Sequence, residues 1–139
     1  MYTTYDIKTG RITGTTNDID RAQSEPNILG QYNASDYYIV NKQPVKYPPK
    51  PKGPSYLVYS FDFTNNSWVL DIPASDIKAR QFRSQLFSYV DKVNPIWLAS
   101  MNAVQQLQVA NYRQDLLDIT KQDNYPVDIV WPIVPYFLK

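Results

Sequence analysis

The amino-acid sequence predicts an α+β protein with a β-rich first part, residues 1–74, and a helical second part, residues 75–139. Two patterns along the chain support this prediction. In the first part, several short segments alternate polar and apolar residues with a period of two, as half-buried strands do. From residue 75 onward, apolar residues recur every three or four positions, as they do on one face of a helix.

The first 36 residues predict one β-hairpin followed by a loop. Residues 2–7 and 11–16 are rich in Tyr, Thr and Ile and surround a Thr-Gly pair, which favours a hairpin. Residues 17–36 are polar and contain Asn, Asp, Pro and Gly, so we expect a long surface loop. A single helical turn over residues 20–24 fits within that loop.

Residues 37–54 predict a strand followed by a stiff connection. The strand covers Tyr37–Val40, and the polar residues 41–44 form a turn. Five prolines interleaved with lysines over residues 44–54 favour an extended polyproline II segment. We interpret this segment as a semi-rigid strap between two hairpins, in preference to a ligand for an SH3-like or WW-like groove.

The strongest predicted hairpin of the chain lies at residues 56–70. Alternation over residues 56–63 places Phe61 and Phe63 on one face, and a turn over residues 64–67 leads into Trp68. Such an aromatic face is too apolar to remain in water, and we expect it to pack against the helices. An exposed platform that stacks carbohydrate rings is the alternative.

The second part predicts two helices. Ser75 or Asp76 can cap a helix that runs to about residue 91. Asn94 and Pro95 suit the cap and first position of a second helix, which extends to about Ile119. The short connection favours an antiparallel helical hairpin, or else a bend in one nearly continuous helix.

The chain ends in an apolar tail interrupted by proline, which can neither continue a helix nor form a central strand. Nine of the fourteen residues from 126 to 139 are aliphatic or aromatic. Burial of half of them would contribute on the order of 5–10 kcal/mol before ordering costs. The tail therefore either folds back onto the helices or meets a partner, and both can hold for different residues.

Composition argues against an enzyme. The chain has no Cys and no His, so the commonest nucleophile, general base and metal ligands are missing. Two pairs of carboxylates could be considered for acid–base catalysis. We interpret Asp18 and Asp20 as solvated acids in a polar loop. Of Asp115 and Asp118, we expect Asp118 to form an ion pair with Arg113 or Lys121. We therefore expect no catalytic residues, no metal site, no cofactor and no small-molecule substrate.

Charge and hydropathy narrow the classes of partner. The formal net charge of +1 argues against nucleic-acid binding, which needs a clustered excess of Lys and Arg. No run approaches 18 uncharged apolar residues, and the N-terminus lacks a basic region followed by an apolar one. We therefore expect no membrane partner and a protein that is soluble and cytosolic when it is made.

The last third of the chain contains its most distinctive sequence motifs. They are Tyr112-Arg113-Gln114, Leu116, Asp118-Ile119, then Pro126, and finally Val130-Trp131-Pro132 and Pro135. This order and spacing resemble the C-terminal signature of the phage tail assembly chaperone family, also called tail fibre assembly proteins. The resemblance covers roughly residues 76–135, and Leu117 stands where that family usually has a second arginine.

The resemblance implies a non-enzymatic bacteriophage tail protein that binds the tail fibre or the baseplate. It would act as a fibre assembly chaperone in the host cytoplasm, or as a structural adaptor retained in the virion tail, with an oligomeric state matching its partner's symmetry. The partner-binding candidates are Tyr112, Arg113, Leu116, Pro126, Val130, Trp131, Pro132 and Pro135. For Arg113 we favour a structural role, with hydrogen bonds to carbonyls of the returning tail. The alternative function is a carbohydrate-binding module that contacts the host surface through its tyrosines.

Overall fold

A computed structural model describes all 139 residues and confirms the mixed α+β class. Contacts divide the chain into two compact units. The first unit comprises Met1–Lys52 with Ser60–Val69, and the second comprises Gly53–Tyr59 with Leu70–Lys139. Residues 53–59 and 70–74, assigned from sequence to the β-rich part, thus pack within the helical unit.

The first unit opens with a three-stranded antiparallel sheet in the order β2-β1-β3. β1 covers Tyr2–Tyr5, β2 covers Ile12–Thr16 and β3 covers Asn27–Leu29. The hydroxyl of the buried Thr3 in the central strand donates to the Gly30 carbonyl at 2.8 Å, so its burial leaves no unpaired polar atom.

The helical turn expected over residues 20–24 is confirmed as a short helix, but the loop expected over residues 17–36 is wrong in part, because it also contains a strand. Helix α1, Ile19–Ser24, begins at Asp18, whose side chain accepts from the backbone amides of Asp20 and Arg21. It is followed by β3. A three-residue strand is too short to show alternation, and its pairing partner, β1, lies more than twenty residues earlier in the chain.

A second hairpin joins β4, Tyr37–Val40, to β5, Gln43–Lys46. Its two-residue turn is formed by Asn41 and Lys42, both at positive φ (51° and 60°), as tight hairpin turns require. The prediction of a turn over 41–44 and a strap from residue 44 is therefore wrong, because Pro44 pairs opposite Ile39. Proline is tolerated there because both strands of a two-stranded sheet are edge strands.

A third hairpin pairs β6, Tyr59–Asp62, with β7, Ser67–Leu70. The expectation that its aromatic face packs on the helices is wrong. The ring of Phe61 lies 4.7 Å from that of Tyr47 and 5.0 Å from that of Tyr38, and 5.1 Å from that of Trp68. The β4–β5 hairpin and the residue after it thus provide an aromatic surface that sequence alternation alone did not reveal.

The second unit is built on helix α2, Ile72–Asp91, which begins earlier than expected. Its cap is Asp71, whose side chain accepts from the amide of Ala74, so neither Ser75 nor Asp76 is the cap. Ser75 is instead buried, and its hydroxyl accepts from the amide of Val58 at 2.9 Å. That bond ties the segment before β6 to the first turn of the helix.

The second predicted helix is divided into α3, Pro95–Ser100, and α4, Ala103–Asp118. The expected continuous helix is therefore wrong. Asn102 and Gln105 form a reciprocal capping box that starts α4, and the preceding Met101 is buried in an extended conformation. α4 runs antiparallel to α2, because Arg113 pairs with Asp91 whereas the later Leu117 meets the earlier Arg83.

Two apolar clusters hold the second unit together. One contains Leu116 and Tyr112 of α4 with Leu138 of the tail, and the other contains Ile119 and Ile129 with residues of α2 and the preceding segment. Both clusters include tail residues, so the tail folds back on its own helices. None of the helices combines the length and the apolar character that crossing a membrane requires.

Candidate partner-binding surface

Three apolar side chains anchor the C-terminal tail. Ile129 and Leu138 are buried, and the half-buried Trp131 lies between two aromatic rings. Its ring centroid is 5.8 Å from that of Tyr56 and 4.8 Å from that of Phe82, both in edge-on contacts. Burial of these anchors fixes the course of the tail across the helical unit.

Four other apolar residues of the tail face solvent at a spacing of three, whereas Val134 and Phe137 pack partly on the buried cluster around Leu138. Val130, Ile133 and Tyr136 are 76%, 90% and 80% exposed, and Val127 continues the series toward the N-terminus. Val127 lies in the turn before the tail, Val130 and Ile133 lie in its extended part, and Tyr136 begins a short 3-10 helix, Tyr136–Leu138. We call these four residues the apolar edge.

Gln122 holds the backbone beneath the apolar edge. Its side-chain Nε2 donates to the Val130 carbonyl, its Oε1 accepts from the Val130 amide, and both distances are 2.8 Å. Both backbone groups of Val130 are thereby paired, so its side chain can point outward without unpaired backbone. Sequence reasoning missed Gln122, because a glutamine in a polar loop carries no signal of a contact eight residues away.

A groove of about 590 Å³ runs between α4 and the tail. One wall is polar and contains Gln108, Asn111 and Asp115, and the other is formed by residues 131–136. Asp115 is the only charged residue that lines it. The groove and the apolar edge share Ile133 and Tyr136, so the two features form one continuous surface.

Three of the predicted partner-binding residues are buried, and of these Tyr112 also lines the groove. Leu116 is fully buried, and Tyr112 and Pro126 are buried as well. The hydroxyl of Tyr112 donates to the Leu86 carbonyl at 3.1 Å, and burial raises the pKa of Tyr112. The motif residues at these three positions therefore belong to the core of the helical unit.

The other predicted residues lie at or near the surface. Val130 belongs to the apolar edge, and the half-buried Trp131, Pro132 and Pro135 line the groove. Arg113 is exposed, but its predicted bonds to the tail are wrong: it pairs with Asp91 of α2 at 3.1 Å. Asp91 is the last residue of α2, and its carboxylate lies beside the Arg113 guanidinium of α4.

The loop before the tail is joined to α2 by a hydrogen bond from the Tyr125 hydroxyl to the Asp76 carboxylate. This bond is the main cause of the lowered pKa of Asp76, and Arg80 adds a second bond at 2.9 Å. Burial, with the neighbouring carboxylate, raises the pKa of Tyr125 to about 12. The neutral tyrosine and the charged aspartate are thus the forms that the fold stabilises.

Replacement of Tyr125 with phenylalanine should lower stability and flatten its dependence on alkaline pH. A tyrosine whose pKa rises from 10.0 to about 12 on folding stabilises the fold below pH 10 and loses that contribution as the pH rises toward 12. The site is partly open to solvent, so we expect an effect of about 1 kcal/mol. Denaturant unfolding of both proteins at pH 8 and pH 11 measures it.

Tyr136→Phe is the matched control, because its ring is 80% exposed. This variant should follow the wild-type pH dependence. Equal stabilities of the Tyr125→Phe and wild-type proteins at pH 8 would show that the bond to Asp76 contributes nothing.

No group of three or more acidic side chains converges in a way that could hold a metal ion. Asp118 pairs with Lys121 at 2.8 Å, and this contact is the main cause of its lowered pKa. In the second unit, the apolar edge and its groove form the candidate partner-binding surface. A scan against protein-family models, a search of curated proteins and a search of solved structures each returned no match for this chain.

Proposed function

We propose that this protein is a non-enzymatic bacteriophage tail protein that binds a tail fibre or baseplate protein through the apolar edge and its groove. The observation that carries the proposal is the apolar edge itself. Val130, Ile133 and Tyr136 are at least 76% exposed on a tail that Ile129, Trp131 and Leu138 anchor. The resemblance in the last third of the sequence supplies the class of partner.

The energetics of the apolar edge suit a specific contact. Fully burying an exposed Val, Ile or Tyr contributes about 1.5–3 kcal/mol before ordering costs, and these costs are low where the backbone is already held. The two hydrogen bonds from Gln122 and the burial of Leu138 provide that order in the free protein. A partner would therefore lose little of the burial energy to ordering this backbone, and the remaining cost is the translational and rotational freedom lost on association.

The groove adds selectivity. Asp115 is its one charged lining residue, so a complementary segment is apolar and carries a Lys or Arg opposite that carboxylate. A fibre or baseplate segment of this kind would associate with copies of itself if left exposed. Covering it sterically is how a chaperone would prevent that, and remaining bound is how an adaptor would use the same surface.

The Val130→Ser/Ile133→Ser double variant tests the surface. Both side chains are exposed, so the fold should be retained, and the Gln122 bonds involve only the backbone of residue 130. We expect affinity for the co-expressed fibre or baseplate protein to fall at least about 10-fold. The measurement is titration calorimetry on the purified components.

Ile96→Ser is the control, because Ile96 is 84% exposed in the same unit but lies outside the apolar edge. Equal binding by the double variant and this control would exclude the apolar edge as the binding surface. Lack of binding by the wild-type protein to every fibre and baseplate component would exclude the proposed partner class.

Mass spectrometry of purified particles separates the two modes of action. Presence of the peptide spanning residues 114–121 at a fixed copy number would identify a retained adaptor. Absence from particles, together with co-purification from infected lysate bound to the fibre protein, would identify a dissociating chaperone.

A further inference from the structure

The first unit contains a second surface feature, independent of the tail. It is a cleft of about 560 Å³ with mixed lining. The aromatic residues in its walls are Tyr37, Tyr47 and Trp68, and the charged ones are Asp36, Lys46 and Lys50. Of the aromatic face that the sequence predicted, only Trp68 reaches this cleft.

The cleft is built on rigid elements. The amide of Tyr47 donates to the Asp36 carbonyl at 2.9 Å and so extends the β4–β5 pairing by one step. The indole Nε1 of Trp68 donates to the Pro48 carbonyl at 2.8 Å, which fixes the ring against the strap. The Tyr47 backbone and the Trp68 indole are thus placed before any ligand arrives, as in most small-ligand sites.

Two lysines lie beside the aromatic walls. The ammonium of Lys50 is 5.4 Å from the ring centroid of Trp68, and that of Lys46 is 5.9 Å from that of Tyr37. Such contacts are weak at exposed sites, so an anion can draw the ammonium groups away at little cost. The flexible lysine stems permit that movement, and it uncovers ring surface.

We propose that this cleft binds an acidic saccharide, whose carboxylate lies between Lys46 and Lys50 and whose ring packs on Trp68 and Tyr37. Asp36 accepts a hydrogen bond from a sugar hydroxyl. A sugar ring offers an apolar face for an aromatic wall and hydroxyl donors for a carboxylate, and an acid group matches the two lysines.

The carboxylate of Asp36 in the cleft lining distinguishes this ligand from a nucleic acid. Asp36 would repel successive phosphates, and the net charge of +1 offers no extended basic surface to follow a backbone. Hydroxyl groups at the same position would instead donate to Asp36. Two lysines and one aspartate carry a net charge of +1, which matches one acid group per sugar.

Titration of the full-length, ¹⁵N-labelled protein with galacturonic acid trisaccharide tests the proposal at low salt. We expect amide shifts concentrated at residues 35–37, 46, 47, 50 and 68. The neutral galactose trisaccharide should bind at least about 10-fold more weakly, because it lacks the charge. Acetate should also bind at least about 10-fold more weakly, because it lacks the sugar ring. The Lys46→Ala/Lys50→Ala variant should lose a similar factor.

Lys8→Ala/Lys139→Ala removes the same charge at two exposed residues outside the cleft and should bind like the wild type. Equal binding of the neutral trisaccharide would remove the role of the lysines, and equal binding of acetate would reduce the cleft to a simple anion site. Shifts spread over all surface lysines, or no shifts at millimolar ligand, would overturn the proposal.

Discussion

Alanine at position 10 should destabilise the first unit more than any other single methyl addition we consider. Gly10 lies at φ +78°, and a Cβ atom there would be 2.0 Å from the carbonyl oxygen of Ile39. The left-handed conformation alone costs a non-glycine residue about 1–2 kcal/mol. The clash with backbone must also push β4 away, so we expect a total loss of at least about 3 kcal/mol.

The same movement would break a hydrogen bond. The amide of Ile39 donates to the Gly10 carbonyl at 2.8 Å, so the first hairpin and β4 meet at this point. Ile39 is buried in a cluster with Ile12 and Ile28. Loss of this contact should therefore lower amide exchange protection in both β1 and β4.

Gly14→Ala is the matched control for Gly10→Ala. A Cβ at Gly14 would meet side-chain atoms of Thr4 and Arg21 at 3.6 and 3.7 Å, which are ordinary contacts. Alanine also loses less conformational freedom than glycine in a strand, so this variant should match or exceed wild-type stability. Guanidinium unfolding followed by circular dichroism compares the two, and equal midpoints would refute the close approach at Gly10.

Leu116→Ala should destabilise the second unit by about 2–5 kcal/mol. Leu116 is fully buried, and its cluster joins Val90 of α2, Tyr112 of α4 and Leu138 of the tail. Truncation to alanine removes the free energy gained by burying the leucine side chain. It also leaves a cavity between α2, α4 and the tail, which cannot fully collapse. The tail should loosen with the core, because Leu138 loses part of its packing surface.

Leu117→Ala is the matched control, because it makes the same substitution at the next residue, which is 45% exposed. We expect this variant to lose less than about 1 kcal/mol. The comparison also tests whether Leu116 binds a partner, as its place in the family-like block implied. A stable Leu116→Ala protein with impaired partner binding would contradict the core assignment.

The sequence alone was sufficient for features that depend on near neighbours. The change from alternation to helical periodicity at about residue 75 correctly indicated an α+β fold, and Asn94-Pro95 correctly marked the start of α3. Caps, turns and periodicity are recorded within a few residues, so one chain without relatives reveals them.

Local signals failed where several residues compete for one role. Asp71, Ser75 and Asp76 can each cap a helix, and the choice of Asp71 follows from the bond between Ser75 and Val58. The break before α4 likewise depends on burial of Met101, which no local pattern shows. In both cases a tertiary contact selects among local conformations of similar energy.

Only the tertiary structure determined which apolar residues remain exposed. The sequence showed a tail rich in Val, Ile and Trp and left open whether it folds back or faces a partner. In the structure Ile129 and Leu138 are buried, whereas Val130 and Ile133 are exposed. These side chains have nearly the same hydrophobicity, so their fates depend on where α2, α4 and Gln122 lie, and that arrangement exists only once the chain has folded.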